Sequence, residues 1–136
     1  MKLLMFQAER FAFRPFAQTL EDGADPPREE DLSEAVVVFV HAEAEDEERA
    51  AKVLSRAAKN IKWLANKRGM RTIVLHSFTH LSESKAGADF ARGVLKDLGS
   101  RLTNGGYRVS VTPFGHTCSW DLSVYGESIA KVFKSI

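Results

Sequence analysis

Cysteine is almost absent from this chain of 136 residues. Cys118 stands alone, so no internal disulfide exists and nothing marks an oxidising compartment. Net charge is nearly absent as well. Nineteen Lys and Arg against 18 Asp and Glu leave a formal +1, and bulk charge alone gives no warrant for a nucleic-acid or membrane partner. No apolar run approaches the roughly 20 residues of a membrane span, and Glu9 and Arg10 cut the apolar opening short of a signal segment. The expectation is a soluble cytoplasmic protein with no membrane contact. Paired cysteines, a His-Glu-x-x-His helix and a Gly-x-Ser-x-Gly elbow are all missing. Asn104-Gly105-Gly106 closes a helical pattern rather than opening one, so it is no phosphate loop. The chemistry expected is therefore free of metal and cofactor. What remains is 44% hydrophobic and 27% charged, the composition of one globular domain over residues 1–136. A chain of this size buries roughly two thirds of its unfolded surface, enough for a core without staples.

The charges that cancel in the total are segregated along the chain. Glu21 to Glu34 (EDGADPPREEDLSE) holds seven acids against Arg28 alone, and with Gly23 and Pro26-Pro27 it reads as an exposed connector. Arg49 to Arg71 holds eight basic residues and no acid. Periodicity alternates between strand and helix. Leu3–Gln7 and Phe11–Phe13 read as two short paired strands ended by Pro15, and Ala35–Ala42 as a strand covered on both faces. Asp46, Glu47 and Glu48 open a helix whose apolar face runs from Ala50 through Val53, Leu54, Ala57, Ile61 and Leu64. Arg71–Ser77 reads as a second buried strand, and a second amphipathic helix carries Phe90, Val94, Leu95, Leu98 and Leu102. Tyr107–Thr112 and Thr117–Val124 follow as strands around Pro113-Phe114-Gly115, and Ile129, Val132 and Phe133 suggest a short terminal helix. The fold class is α/β: a mixed sheet, two long helices and that terminal helix.

His41, His76, His80 and His116 all fall where strands end or loops begin, which is where sheet folds form clefts. His76 reads as a buried histidine with one hydrogen bond, while small polar neighbours leave His80 room to touch a ligand. Arg49, Lys52, Arg56, Lys59 and Lys67 fall within about 80° of one another on the first helix, opposite its apolar face, with Trp63 among them. Such a stripe either binds phosphates with Trp63 stacked on a base, or is an ordinary solvated face. Cys118 shares a strand face with Trp120 and Leu122, and is either core or part of a pocket.

Ile73 to Ser82 (IVLHSFTHLS), Gly106-Tyr107-Arg108-Val109 and Thr112-Pro113-Phe114-Gly115 resemble the N-terminal editing domain of archaeal threonyl-tRNA synthetase, and Met1–Phe13 matches in register. The resemblance covers nearly the whole chain and implies a fold like D-aminoacyl-tRNA deacylase. It also implies hydrolysis of seryl-tRNA made in error, here without a synthetase body. Its serine pocket maps to Ala42, Ser77, Phe78, Thr79 and His80, and to Gly115, His116, Thr117 and Cys118. Three positions depart from it: a family tyrosine falls on Thr117, the pocket lysine on Cys118, and a terminal-helix glutamate on Lys131. Either Lys131 supplies the ammonium from the other side, or the amino acid differs, or catalysis is lost. The implied catalytic residues are His80 and Lys131, orienting water and the tRNA ribose. The implied partners are the acceptor end of tRNA held by Arg49, Lys52, Arg56, Lys59 and Trp63, a second copy of the chain, and a synthetase in trans. The competing reading is a non-catalytic module that binds tRNA or an amino acid.

Overall fold

The computed structural model describes all of residues 1–136. Its centre is the apolar run Ala35–His41, the inner part of strand β2 (Glu30–His41). Strand β3 (Thr72–Ser77) lies parallel to β2, with Phe39 opposite His76 and Val40 opposite Ser77, and β4 (Arg108–Val111) lies parallel to β3. Parallel neighbours need crossovers, and these are helices α1 (Ala50–Lys67) and α2 (Ala88–Asn104). On the other side β2 pairs antiparallel with β1 (Lys2–Gln18), whose second half pairs with β5 (His116–Val124) and whose first half pairs with β6 (Lys131–Ser135). The sheet order is β4-β3-β2-β1-β5, with β6 also on β1.

Alternation along the strands sorts two cores. Val36, Val38, Val40, Ile73 and Leu75 face the helices and join Val53, Ile61, Leu64, Leu98 and Leu102 in the larger cluster. Ala35, Val37, Phe39 and Val74 face the other way, with Phe11 and Phe13, and are flanked by Phe78, Cys118 and Leu122. Both cores are needed because the β2 run has no polar face. No helix is long and apolar enough to cross a membrane.

The α/β class, both long helices and the six expected strand segments are present, and the structure changes several details. Leu3–Gln7 and Phe11–Phe13 are one bulged strand, not a hairpin: no turn residues separate them, and both halves pair with β2. The terminal helix is absent. Ser128–Ala130 is a single 3-10 turn and Lys131 already lies in β6, where alternating exposure from Lys131 to Ser135 matches a strand on an open sheet position. The acidic connector is also shorter, because Glu30 to Ser33 extend β2 along β1.

Asp46 does more than open a helix. The Met1 ammonium is fully buried and donates to Glu43 at 2.6 Å and Asp46 at 2.9 Å, at the start of a 3-10 turn (Ala44–Arg49) that leads into α1. Burial pushes the Glu43 carboxyl upward. Hydrogen bonds from Met1 and the Ser82 hydroxyl, the attraction of the ammonium, and Lys2 outweigh it and hold the group at about 2. A carboxyl depressed in the folded state stabilises fully above its unfolded value near 4.5 and loses that contribution as pH falls toward 2. Urea titrations at about pH 6 and about pH 3 should show the wild type losing on the order of 2 kcal/mol more than Glu43→Gln. Equal losses would remove Glu43 from this role.

Candidate active site

A cleft of about 470 Å³ opens where β3 and β4 end and α2 begins. The carboxyl ends of parallel strands are the common ligand edge of α/β sheets. One wall is Ser77 at the end of β3 and the segment from Phe78 to Ala86, which has no regular structure yet is tied at many points. Phe78 N–H donates to Val40 O at 3.0 Å and Ala86 N–H to Ala42 O at 3.1 Å. Buried His41 accepts the Leu81 N–H at Nδ1 (3.0 Å), so its proton sits on Nε2, which donates to Ser84 O at 2.7 Å. The Ser82 hydroxyl donates to Glu43 at 2.7 Å, and that of Ser84 to Glu45 at 2.9 Å. These bonds replace the ladder that the chain loses on leaving β3.

The opposite wall is Pro113-Phe114-Gly115-His116, and it hangs on Asp25. That carboxylate accepts the Phe114 N–H at 2.9 Å and pairs with Arg92 of α2, while the Asp25 N–H donates to Phe114 O and the His116 Nε2–H to Asp25 O at 2.7 Å. Thr19 N–H donates to Gly115 O at 2.7 Å. Gly115 has φ +86°, and a Cβ there would stand 2.9 Å from the Ala24 side chain, so only glycine fits without a shift. The connector therefore braces this wall through Asp25 without lining the cleft. Sequence reasoning missed Asp25 and Arg92, because a lone acid among seven carries no local mark of its partner.

Of the residues assigned to the pocket, Ser77, Phe78, Thr79, His80, Gly115, His116, Thr117 and Cys118 all line this one cleft. Ala42 lies beneath it, buried in the helix-side core, and acts through its carbonyl on Ala86. Lys131 does not line the cleft. Its Nζ donates to Gly126 O and Glu127 O beside β6, so the ammonium expected from the terminal helix is spent elsewhere. The cleft's only formally charged lining residue is Lys85, exposed and without an ion-pair partner. Nothing in its neighbourhood in sequence singles it out.

The electrostatics narrow the chemistry. No carboxylate lines the cleft, so a paired-acid mechanism has no groups to use. Burial pushes the Cys118 thiol up, away from the reactive thiolate. His76 is buried between Phe39 and Trp120, 5.4 and 5.5 Å from their rings, with Nδ1 2.7 Å from the Thr112 hydroxyl. Burial lowers its pKa to about 4, so it is a neutral structural ring. His80 is exposed, its ring packed edge-on to Phe78 at 5.0 Å, and is the cleft imidazole open to a ligand. A second cavity of about 360 Å³, lined by Arg10, Asp31, Trp120 and Asp121 with the Arg10–Asp31 ion pair on its wall, holds none of the eight mapped pocket residues.

The basic face of α1 divides in two. Arg49 is tied to Asp46 and to Ile136 O, whereas Lys52, Arg56 and Lys59 are exposed and unpaired. Trp63 is 41% exposed.

Residues 1–136 match the archaea-specific editing domain of threonyl-tRNA synthetase. The chain belongs to that family. It is 31% identical over its full length to the threonine–tRNA ligase of Methanosphaera stadtmanae, covering 22% of that protein. It is also 32% identical over 105 residues to that of Thermococcus kodakarensis, covering 17%. The chain thus spans about a fifth of the length of these curated relatives. Among solved structures, the c-Myc DNA unwinding element binding protein superposes with a TM-score of 0.73 over the whole chain and 99% of that protein, at 13% identity, which shows a shared fold. The α/β class, with a mixed sheet and two long helices, stands.

For this editing-domain chain, the buried neutral His76 has a measurable consequence. A histidine whose folded value is depressed gives stability that is complete above its unfolded value near 6.5 and drains as pH falls toward 4. Replacing His76 by Gln should flatten the loss of stability between those values by on the order of 3 kcal/mol, read from denaturant midpoints. An unchanged slope would show that His76 titrates normally.

Proposed function

We propose that this chain is an aminoacyl-tRNA deacylase that hydrolyses the ester of mischarged tRNA, with seryl-tRNA(Thr) as its preferred substrate. The observation that carries the reading is the convergence of eight residues mapped from the family pocket on one cleft. Family membership supports the tRNA substrate class. The reaction on this reading needs no enzyme nucleophile. An aminoacyl ester is activated, so water adds to its carbonyl carbon, the carbon–oxygen bond to the ribose breaks, and the ribose oxygen leaves with a proton. The neighbouring ribose hydroxyl and His80 orient the water. Lys85 offsets the negative charge of the terminal phosphate, a role the family lysine position leaves open because Cys118 occupies it.

Discrimination against threonine rests on steric exclusion of one methyl group, since favourable binding of a methylene is worth only about 1 to 3 kcal/mol. The tied walls suit steric exclusion, because a wall held by Asp25 on one side and His41 on the other yields little to an extra methyl. The partners on this reading are the acceptor end of tRNA and a second copy of the chain, in the cytoplasm. The absence of any carboxylate in the cleft and the loss of the family lysine favour one second reading, a non-catalytic module that serves a separate synthetase chain. Calorimetry with serine separates the two, because binding without turnover selects the module.

The enzyme reading predicts hydrolysis of seryl-tRNA(Thr) above the spontaneous rate, with threonyl-tRNA(Thr) spared. His80→Ala should lower the rate at least tenfold, more than His76→Gln, as expected for a group that orients the attacking water. Lys85→Ala should raise KM more than it lowers kcat. No turnover of seryl-, threonyl- or D-aminoacyl-tRNA would overturn it.

A further inference from the structure

The strongest feature outside the cleft is at the other end of the helix layer. A groove of about 610 Å³ runs between α1 and the last turn of α2, lined by Lys59, Lys62, Trp63, Asn66, Arg101 and Asn104. On α1, Lys59, Lys62, Trp63 and Asn66 recur at i, i+3, i+4 and i+7, which places them on one face. No acidic residue lines the groove. Two further ammoniums flank the indole: Lys67 Nζ stands 5.8 Å and Lys134 Nζ 5.5 Å from the Trp63 ring centre. Lys59, Lys62, Lys67, Arg101 and Lys134 form no ion pair. Elsewhere Arg10, Arg28, Arg49, Arg68 and Arg92 are paired, while Arg14, Arg56, Arg71 and Arg108 are not. Five cations with no acidic neighbour in the groove, set around a half-open indole, give this face a positive potential that favours an anionic occupant.

We propose that this groove is a second RNA contact, separate from the cleft, in which Trp63 stacks on a base and the five cations hold the phosphodiester backbone. Asn66 supports RNA over an acidic peptide. Its Oδ1 accepts the Tyr107 hydroxyl at 2.6 Å, which leaves its amide N–H groups directed to other acceptors such as a base edge or a ribose hydroxyl. The groove meets the cleft through α2, since Ala91 lines the cleft and Arg101 the groove. Ten residues at 1.5 Å rise separate them by roughly 15 Å, and the outer limits, Ala88 and Asn104, by roughly 24 Å. At about 3.4 Å per stacked nucleotide, the groove meets RNA some four to seven nucleotides upstream of the end held in the cleft. The inference rests on the proposed cleft function for the identity of the RNA. It moves the centre of RNA binding from Arg49 and Lys52 to Lys62, Arg101 and Lys134.

The test uses an uncharged acceptor-stem minihelix ending in single-stranded CCA. Trp120→Phe leaves Trp63 as the only tryptophan, and its fluorescence should be quenched on titration with the minihelix. Lys62→Glu with Arg101→Glu should weaken binding at least tenfold and lower the slope of log affinity against log salt by about 1 to 2. Lys96→Glu with Arg108→Glu, the same charge change on other surfaces, should leave affinity within about twofold. Lys62→Gln with Arg101→Gln gives the same direction at smaller size and serves if the Glu pair does not fold. Unquenched Trp63, or equal weakening by the groove and control pairs, overturns the proposal. Because the minihelix carries no ester, a lack of deacylation would defeat the cleft reading while leaving this result standing.

Discussion

The cleft depends on the parallel pairing of β2 and β3. Parallel neighbours finish at the same edge of the sheet, so the chain leaving β3 at Ser77 emerges beside the end of β2, at His41 and Glu43. There it has no ladder partner, and its polar groups must find others. His41 and Glu43 supply them, and the segment from Phe78 to Ala86 is bonded rather than loose. The same Glu43 holds the Met1 ammonium, so the start of β1, the approach to α1 and the cleft wall share one buried polar cluster. No buried side-chain polar atom is left without a partner, the condition under which such a cluster rigidifies a site.

The small net charge conceals a division of labour. Three acids hold structure: Asp25 the Pro-Phe-Gly wall, Asp31 Arg10, and Asp46 the Met1 ammonium. Six basic residues without an ion pair, Lys52, Arg56, Lys59, Lys62, Arg101 and Lys85, lie on the helices and at the cleft mouth. The free charge of the molecule is therefore positive on the faces that the proposals assign to RNA, although the sum is +1.

Much of this was legible in the sequence, for physical reasons that also mark where legibility stopped. The apolar runs at Ala35–Ala42 and Ile73–Leu75 and the helical faces of α1 and α2 are local patterns, and the elements formed where those patterns lie. The eight cleft residues were found through the family resemblance, not through spacing. The terminal helix was misread because Ile129, Val132 and Phe133 fit a helical period as well as a short strand, and pairing with β1 decided the matter. That error carried Lys131 with it. Asp25 and Arg92 carry no local mark because their role comes from a contact across 67 residues, and Lys85 carries none because the fold alone brings it to the cleft.

The central claim is that the cleft between Ser77–Lys85 and Pro113–Cys118 receives the aminoacylated end of a tRNA. The most direct measurement is NMR mapping with a non-hydrolysable seryl-adenosine analogue. The account predicts amide shifts concentrated at Ser77–His80, Lys85 and Gly115–Cys118, with the backbone at Arg10, Asp31 and Asp121 unchanged. Shifts centred on that second cavity, or none at saturating ligand, would contradict it.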